Sequence, residues 1–170
     1  MKEKSLNTEL KNVFDTPEEE LLAGKIFALT VDYRETTPEL INKNGISFLE
    51  GFDYWDDRDA PEELLKSRGI IETKAKLFYF PGRTNTFAFM LEMEKEQFRP
   101  ANFFELMPLR PYPFKSSEGF VIEALGTILG LHVGMPIYRY VPGIRSWEDK
   151  INLRQEWLCL HGTYYLAIAD

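Results

Sequence analysis

The sequence predicts an α+β domain in which antiparallel strands wrap one long apolar helix. Three stretches carry that expectation. Residues 117–132, "SEGFVIEALGTILGLH", read as a helix with one broad apolar arc. Residues 70–94 place "IIETKAKLFYF" and "TFAFMLEME" on either side of "PGRTN", the signal of a hairpin. Residues 156–169 place "EWLCL" and "TYYLAIA" on either side of His161-Gly162, a two-residue turn.

The remaining elements follow in chain order. In "DTPEEELLAG", Thr16 caps a helix, Pro17 takes its first position and Glu19 completes a capping box. "KIFALTVDY" reads as a strand, and "TTPELINKNG" repeats the cap and proline with Thr37 and Pro38. "GISFLEGF" is a second strand. "DAPEELLKSRG" begins a third helix at Asp59 or Ala60 with Pro61, and Gly69 is its stop. "PIYRYV", after the long helix, is extended.

At 170 residues, 44% hydrophobic and 14% aromatic, the chain can bury the core of a single domain, 1–170. Within it, 1–69 reads as an acidic, helix-rich region and 70–170 as the core. Residues 1–63 hold 16 acidic and 7 basic side chains, a net of −9. Residues 64–170 hold 11 and 13, a net of +2, so the front carries the whole excess of the chain's −7. An acidic surface disfavours nucleic acid, whose affinity comes mainly from phosphate neutralisation. The start lacks an apolar run, and no stretch approaches the roughly 20 apolar residues of a membrane span. A single cysteine, Cys159, forms no internal disulfide. The expectation is a soluble cytoplasmic protein.

On a helical projection Val121, Ile122, Leu125, Ile128, Leu129 and His132 share the apolar arc. Gly119, Glu123, Gly126, Thr127, Gly130 and Gly134 fall opposite. Glycine costs about 1 kcal/mol against alanine in a helix, so propensity does not explain this face. Either the small residues let another element pack closely, or the face lines a narrow channel with Glu123 as an acid or base.

Phe103, Phe104, Pro108, Arg110 and Pro111, then Gly119 and the Ile122-Glu123-Ala124-Leu125 run, form a pattern with a known likeness. It resembles the hot-dog-fold 3-hydroxyacyl-acyl carrier protein dehydratases over about thirty residues, and the closing stretch "EWLCLHGTYYLAIAD" is similar to their last hairpin. The resemblance implies a hot-dog-like fold and a thioester dehydratase chemistry without cofactor or metal. That chemistry needs a base, an acid for the departing hydroxyl, and a donor for the thioester oxygen. The resemblance makes Glu123 the catalytic carboxyl group and Gly119 the amide that meets the thioester carbonyl. Arg110 holds the loop or meets a carrier phosphate, and Thr127 lies along the substrate face. Met107 falls where the family has its histidine. The implied partners are an acyl carrier protein or acyl thioester, and a second subunit in a homo- or heterodimer that completes the site.

Other constellations have plainer readings. Asp53, Asp56, Asp57 and Asp59 lack the spacing and glycine of a calcium loop, and read as a solvated loop. Cys159 and His161 would share one side if both lay in a strand, as a thiol–imidazole pair, but His161 reads as a turn residue and Cys159 as a small buried thiol. His132 lies on the apolar arc, far around from Glu123. A second functional class is an inhibitor, immunity or accessory protein that binds a partner without catalysis, through the acidic first 63 residues. Glu123 separates the two classes: enclosure in a channel favours the acyl reading, solvent exposure the interaction reading.

Overall fold

Phe27, Leu29 and Val31 recur at every second position, and this period of two makes Phe27–Asp32 the first strand, β1. In the computed structural model, the described residues are 10–35, 54–57, 66–79, 86–115, 119–132, 137–145, 151–155 and 163–169. The other strands among them are β2 (Tyr54–Asp57), β3 (Ile70–Tyr79), β4 (Phe98–Pro100), β5 (Val121–Glu123), β6 (Thr127–His132), β7 (Ile137–Arg145), β8 (Ile151–Gln155) and β9 (Thr163–Ala169). The helices are α1 (Glu18–Leu22), α2 (Thr86–Lys95) and α3 (Phe103–Leu106). Short 3-10 turns occupy Val13–Asp15 and Met107–Leu109. The class is α+β, as expected.

The strands form one sheet in the order β1-β3-β9-β5-β7-β6-β2, with β4 on β9 and β8 on β7. Its registers show how the middle is built. Val121–Glu123 pair with Arg145–Gly143, and Leu129–His132 pair with Tyr140–Ile137. β8 takes Tyr140–Ile144. Since β8 overlaps both of the other pairings, β5 and β6 must share the opposite edge of β7. They are one strand interrupted by a bulge, in which residues 124–128 stand opposite 141 and 142 alone. On β9, β3 holds one edge, while β5 and then β4 divide the other.

The expected helix over 117–132 is therefore corrected: residues 119–132 contain two strands and a bulge. The same letters admit both readings, because "FVI" and "TIL" are short apolar runs whose period is ambiguous. The β-branched residues and three glycines weigh against a helix. A second correction concerns "TFAFMLEME", expected as a strand. It forms α2, whose alanine, leucine, methionines and glutamates are good helix formers, and which buries Phe89 and Met93 one turn apart. In the acidic stretch read as a loop, Tyr54–Asp57 is strand β2, paired with β6. At α1 the cap moves by one residue: Pro17 is the N-cap, and the Thr16 hydroxyl donates to the Asn12 carbonyl at 2.8 Å. The strand expected at 45–52, the helix begun at Thr37, the start of the one at Pro61 and the His161-Gly162 turn lie outside the described residues. So do Cys159, Asp53 and Asp59.

β1 and β2 come from the acidic front yet belong to the same sheet as the rest. Near its centre the sheet buries side chains on both faces. On one, Leu29, Leu77, Ile122, Ile144, Leu166 and Ile168 pack with α3 and the N-terminal turns. On the other, Phe78, Val141, Tyr165 and Ala167 pack under α2. No helix among the described residues is long and apolar enough to cross a membrane.

The two strand systems meet where Ala101 crosses Gly126. The Ala101 N–H donates to Leu166 O at 2.9 Å, and the Gly126 N–H donates to Ala101 O at 2.8 Å. A Cβ on Gly126 would sit 2.7 Å from that oxygen and 3.0 Å from the Pro100 oxygen, with only rigid backbone to yield. Gly126→Ala is expected to cost about 2 to 3 kcal/mol, in the range of overpacked cores, read as a lower urea midpoint with an unchanged slope.

Candidate functional site

Asn102 and Glu105 stand three residues apart at the start of a helix, the spacing of a capping box. Each side chain takes the other's backbone amide: Glu105 N–H donates to Asn102 Oδ1 at 3.1 Å, and Asn102 N–H donates to Glu105 Oε2 at 2.8 Å. The Glu105 side chain is wholly buried, and its remaining capacity is filled by charge-assisted bonds. Arg99 on β4 grips it with two nitrogens, at 2.6 and 3.0 Å. The Tyr33 hydroxyl, at the end of β1, also donates to Oε1. Tyr33 in turn packs against Phe104 and lies under the Arg68 guanidinium, 5.5 Å from its ring centre. Burial, and then the Glu105 charge, push the Tyr33 hydroxyl far above the usual tyrosine pKa. This carboxylate has four donors and no exposed surface, so its work is to join β1, β4 and α3.

The five residues singled out by sequence do not converge. Glu123 is in β5, 1% exposed, in register with Gly143 and Tyr165. Register partners share a face, which puts it on the α2 side with Tyr165. Gly143 makes room for it, since a Cβ there would come within 3.0 Å of Glu123 Cγ. Met107, at the 3-10 turn, is buried in the other layer, with Ile122 and Ile144. Thr127 opens β6 and accepts the Phe103 N–H at 2.8 Å, satisfying an amide that the first turn of α3 leaves without a helical partner. Arg110 ends the 3-10 turn, half-buried. Gly119 lies exposed before β5. Thr127, Met107 and Arg110 thus follow α3, while Glu123 belongs to the opposite face. Glu105 escaped notice despite its readable Asn-x-x-Glu spacing, and Arg99 and Tyr33 have no local signal at all.

A concave surface exists elsewhere. A groove of about 660 Å³ is bordered by Phe14, Asp15, Glu18, Glu19, Tyr112 and Lys115. The Tyr112 hydroxyl donates to Thr16 O at 2.7 Å, and Lys115 N–H donates to Glu18, so residues 112–115 are strapped to the turn before α1. Burial raises the Tyr112 pKa, and the charges of Glu18 and Glu19 raise it further, a sign of negative potential in the groove. A second groove, about 560 Å³, has mixed charge, with Glu72, Lys74 and Glu96 beside Phe98. None of the five residues borders either groove. Among the described residues no three His, Cys, Asp or Glu side chains are grouped to hold a metal. No family model, curated protein or solved structure matches this chain.

Arg99→Met should destabilise the fold by about 2 to 3 kcal/mol. That is below the figure for a fully buried broken pair, because Arg99 keeps 21% of its side-chain surface; denaturant titration measures it. The Tyr33 shift fixes a pH trend. The native state prefers the protonated phenol, so its contribution is complete below the unfolded value near 10 and is lost as pH rises beyond it. Urea midpoints should fall above pH about 10, and less steeply in Tyr33→Phe.

Proposed function

We propose that this chain is a non-catalytic protein-binding module whose interface is the groove between Phe14 and Tyr112. The observation that carries this is the groove's make-up: an exposed aromatic ring and three carboxylates, Asp15, Glu18 and Glu19, against one lysine. Its wall from Phe14 to Leu22 belongs to the acidic front of the chain, which holds a net charge of −9 over residues 1–63. Such a surface attracts a basic partner and repels acidic ones, setting approach rate and choice of partner. The fully buried Glu105 supports the reading from the other side, because its four hydrogen bonds commit it to the fold.

A second reading keeps the acyl thioester. What supports it is the residue pattern from Phe103 to Leu125 and a carboxyl group, Glu123, enclosed at 1% exposure, since buried acids mark functional sites more often than exposed ones. In a hot-dog-like arrangement the helix held against the sheet is then α2, which packs Phe89 on Tyr165 with ring centres 4.7 Å apart. Glu123 would act on a 3-hydroxyacyl group delivered by a carrier protein, in a dimer whose other subunit supplies the base.

Selection from a random peptide display library separates them. The wild-type chain should enrich cationic peptides whose affinity falls with salt. A triple variant, Asp15→Lys, Glu18→Lys, Glu19→Lys, should lose at least about tenfold in affinity, in the range of truncated interface anchors. Equal enrichment by both proteins would sink the binding reading. In parallel, formation of a conjugated enoyl product from a 3-hydroxyacyl carrier thioester, abolished by Glu123→Gln in a folded protein, would establish the second.

A further inference from the structure

Six aromatic rings follow one another in the fold. Phe14 meets Tyr112 at 6.3 Å between centroids, Tyr112 meets Phe114 at 4.5 Å, and Phe114 meets Phe120 at 5.1 Å. Phe120 then meets Tyr164 at 5.4 Å, and Tyr164 meets Tyr79 at 4.9 Å. Core packing explains only part of the series. Phe120 is buried at 5%, but Phe14 is 53% and Tyr79 44% exposed, with Tyr112, Phe114 and Tyr164 half-buried between them. The rungs come from four separate parts of the chain, so no local propensity produces the row. Its Phe14 end opens into the acidic groove.

We propose that this aromatic row and groove bind a proline-rich peptide in the polyproline II conformation, with an arginine or lysine directed at Asp15, Glu18 and Glu19. The proposal rests on the protein-binding reading and names the partner class. A polyproline II helix has three residues per turn and about 9 Å between equivalent positions, so it offers a regular ridge of rings to one side. Aromatic-lined grooves accept that ridge at low entropic cost, because the ligand is already extended. Its carbonyls have no internal partner, and Tyr79 and Tyr164 bring phenolic O–H groups to the far end of the row. The receptor is also held in advance: the Tyr112 hydroxyl is anchored on Thr16 O. Charge selects among flat ligands. A neutral sugar donates hydroxyl hydrogen bonds to carboxylates but gains no charge attraction from them, and a nucleic acid is repelled by them, whereas a cation is drawn to both the acids and the ring faces.

Fluorescence anisotropy with labelled decapeptides tests this. The probe has two arginines at one end and a run of Pro-Pro-x repeats. Control peptides replace the prolines by serine and glycine at equal charge, or the arginines by glutamate, and a linear glucan oligomer serves as the sugar competitor. The expected result is saturable binding of the probe, weakened at least tenfold by either peptide replacement and unaffected by the sugar. Phe14→Ala and Tyr79→Ala, both at exposed rings, should each lower affinity about five- to tenfold with unchanged circular dichroism. Equal binding of the serine-glycine control would overturn the proline assignment while leaving a cationic-peptide groove in place. Failure of every arginine peptide, with an empty display selection, would overturn both. Displacement of the probe by the sugar would replace the peptide with a carbohydrate.

Discussion

The contact between Ala101 and Gly126 is the constraint from which the rest of the architecture is laid out. β4 leaves β9 at Pro100, and the chain must pass the point where β5 becomes β6. Only a residue without a side chain lets two backbones come that close. Because they do, the Ala101 carbonyl caps the bulge while its amide finishes the ladder on β9. One residue later, Asn102 begins α3, so the crossing also sets the height at which Glu105 enters the core.

From that point the burial of Glu105 becomes a matter of satisfied acceptors. A carboxylate at zero exposure would be ruinous alone. Here two backbone-level bonds orient Glu105, and Arg99 and Tyr33 complete it from strands on either side. The network is dispersed in sequence across residues 33, 99 and 105, which makes it a fastener between distant segments. Glu123 has a different setting: a Cβ on Gly143 would press on its Cγ, on Val121 Cγ1 and on the Ile122 carbonyl oxygen alike, so the missing side chain makes room for the whole of β5.

Legibility in the sequence followed the locality of each cause. β1, β3, β7 and β9 could be read because their apolar alternation or β-branched content is contained in the strand itself. The capping box at Asn102 was readable in principle for the same reason. Residues 119–132 misled because an apolar arc can be drawn through "FVIEALGTIL" at either period, and the arbiter, Ala101 against Gly126, lies twenty-five positions away. The segment 86–94 misled through its phenylalanines, which outweighed a run of helix formers. The likeness to the dehydratases expects Gly119 and Glu123 on one helix, whereas Glu123 is in β5 and faces away from Met107. The aromatic row was invisible, since its members are adjacent only after the sheet has formed.

Among the described strands β9 is the last in chain order, and it stands near the centre of the sheet, between β3 and β5. The strands before it therefore form two incomplete sets, β1 with β3 and β5 with β7, that lack a common seam. Joining them requires pairings across some forty residues on one side and ninety on the other, the long-range closures that slow folding. Until then Leu77 and Ile122 would each present an open apolar edge. A nascent chain of this design has a waiting period, and its exposure to misassembly or to chaperones is concentrated in the interval before residues 163–169 arrive.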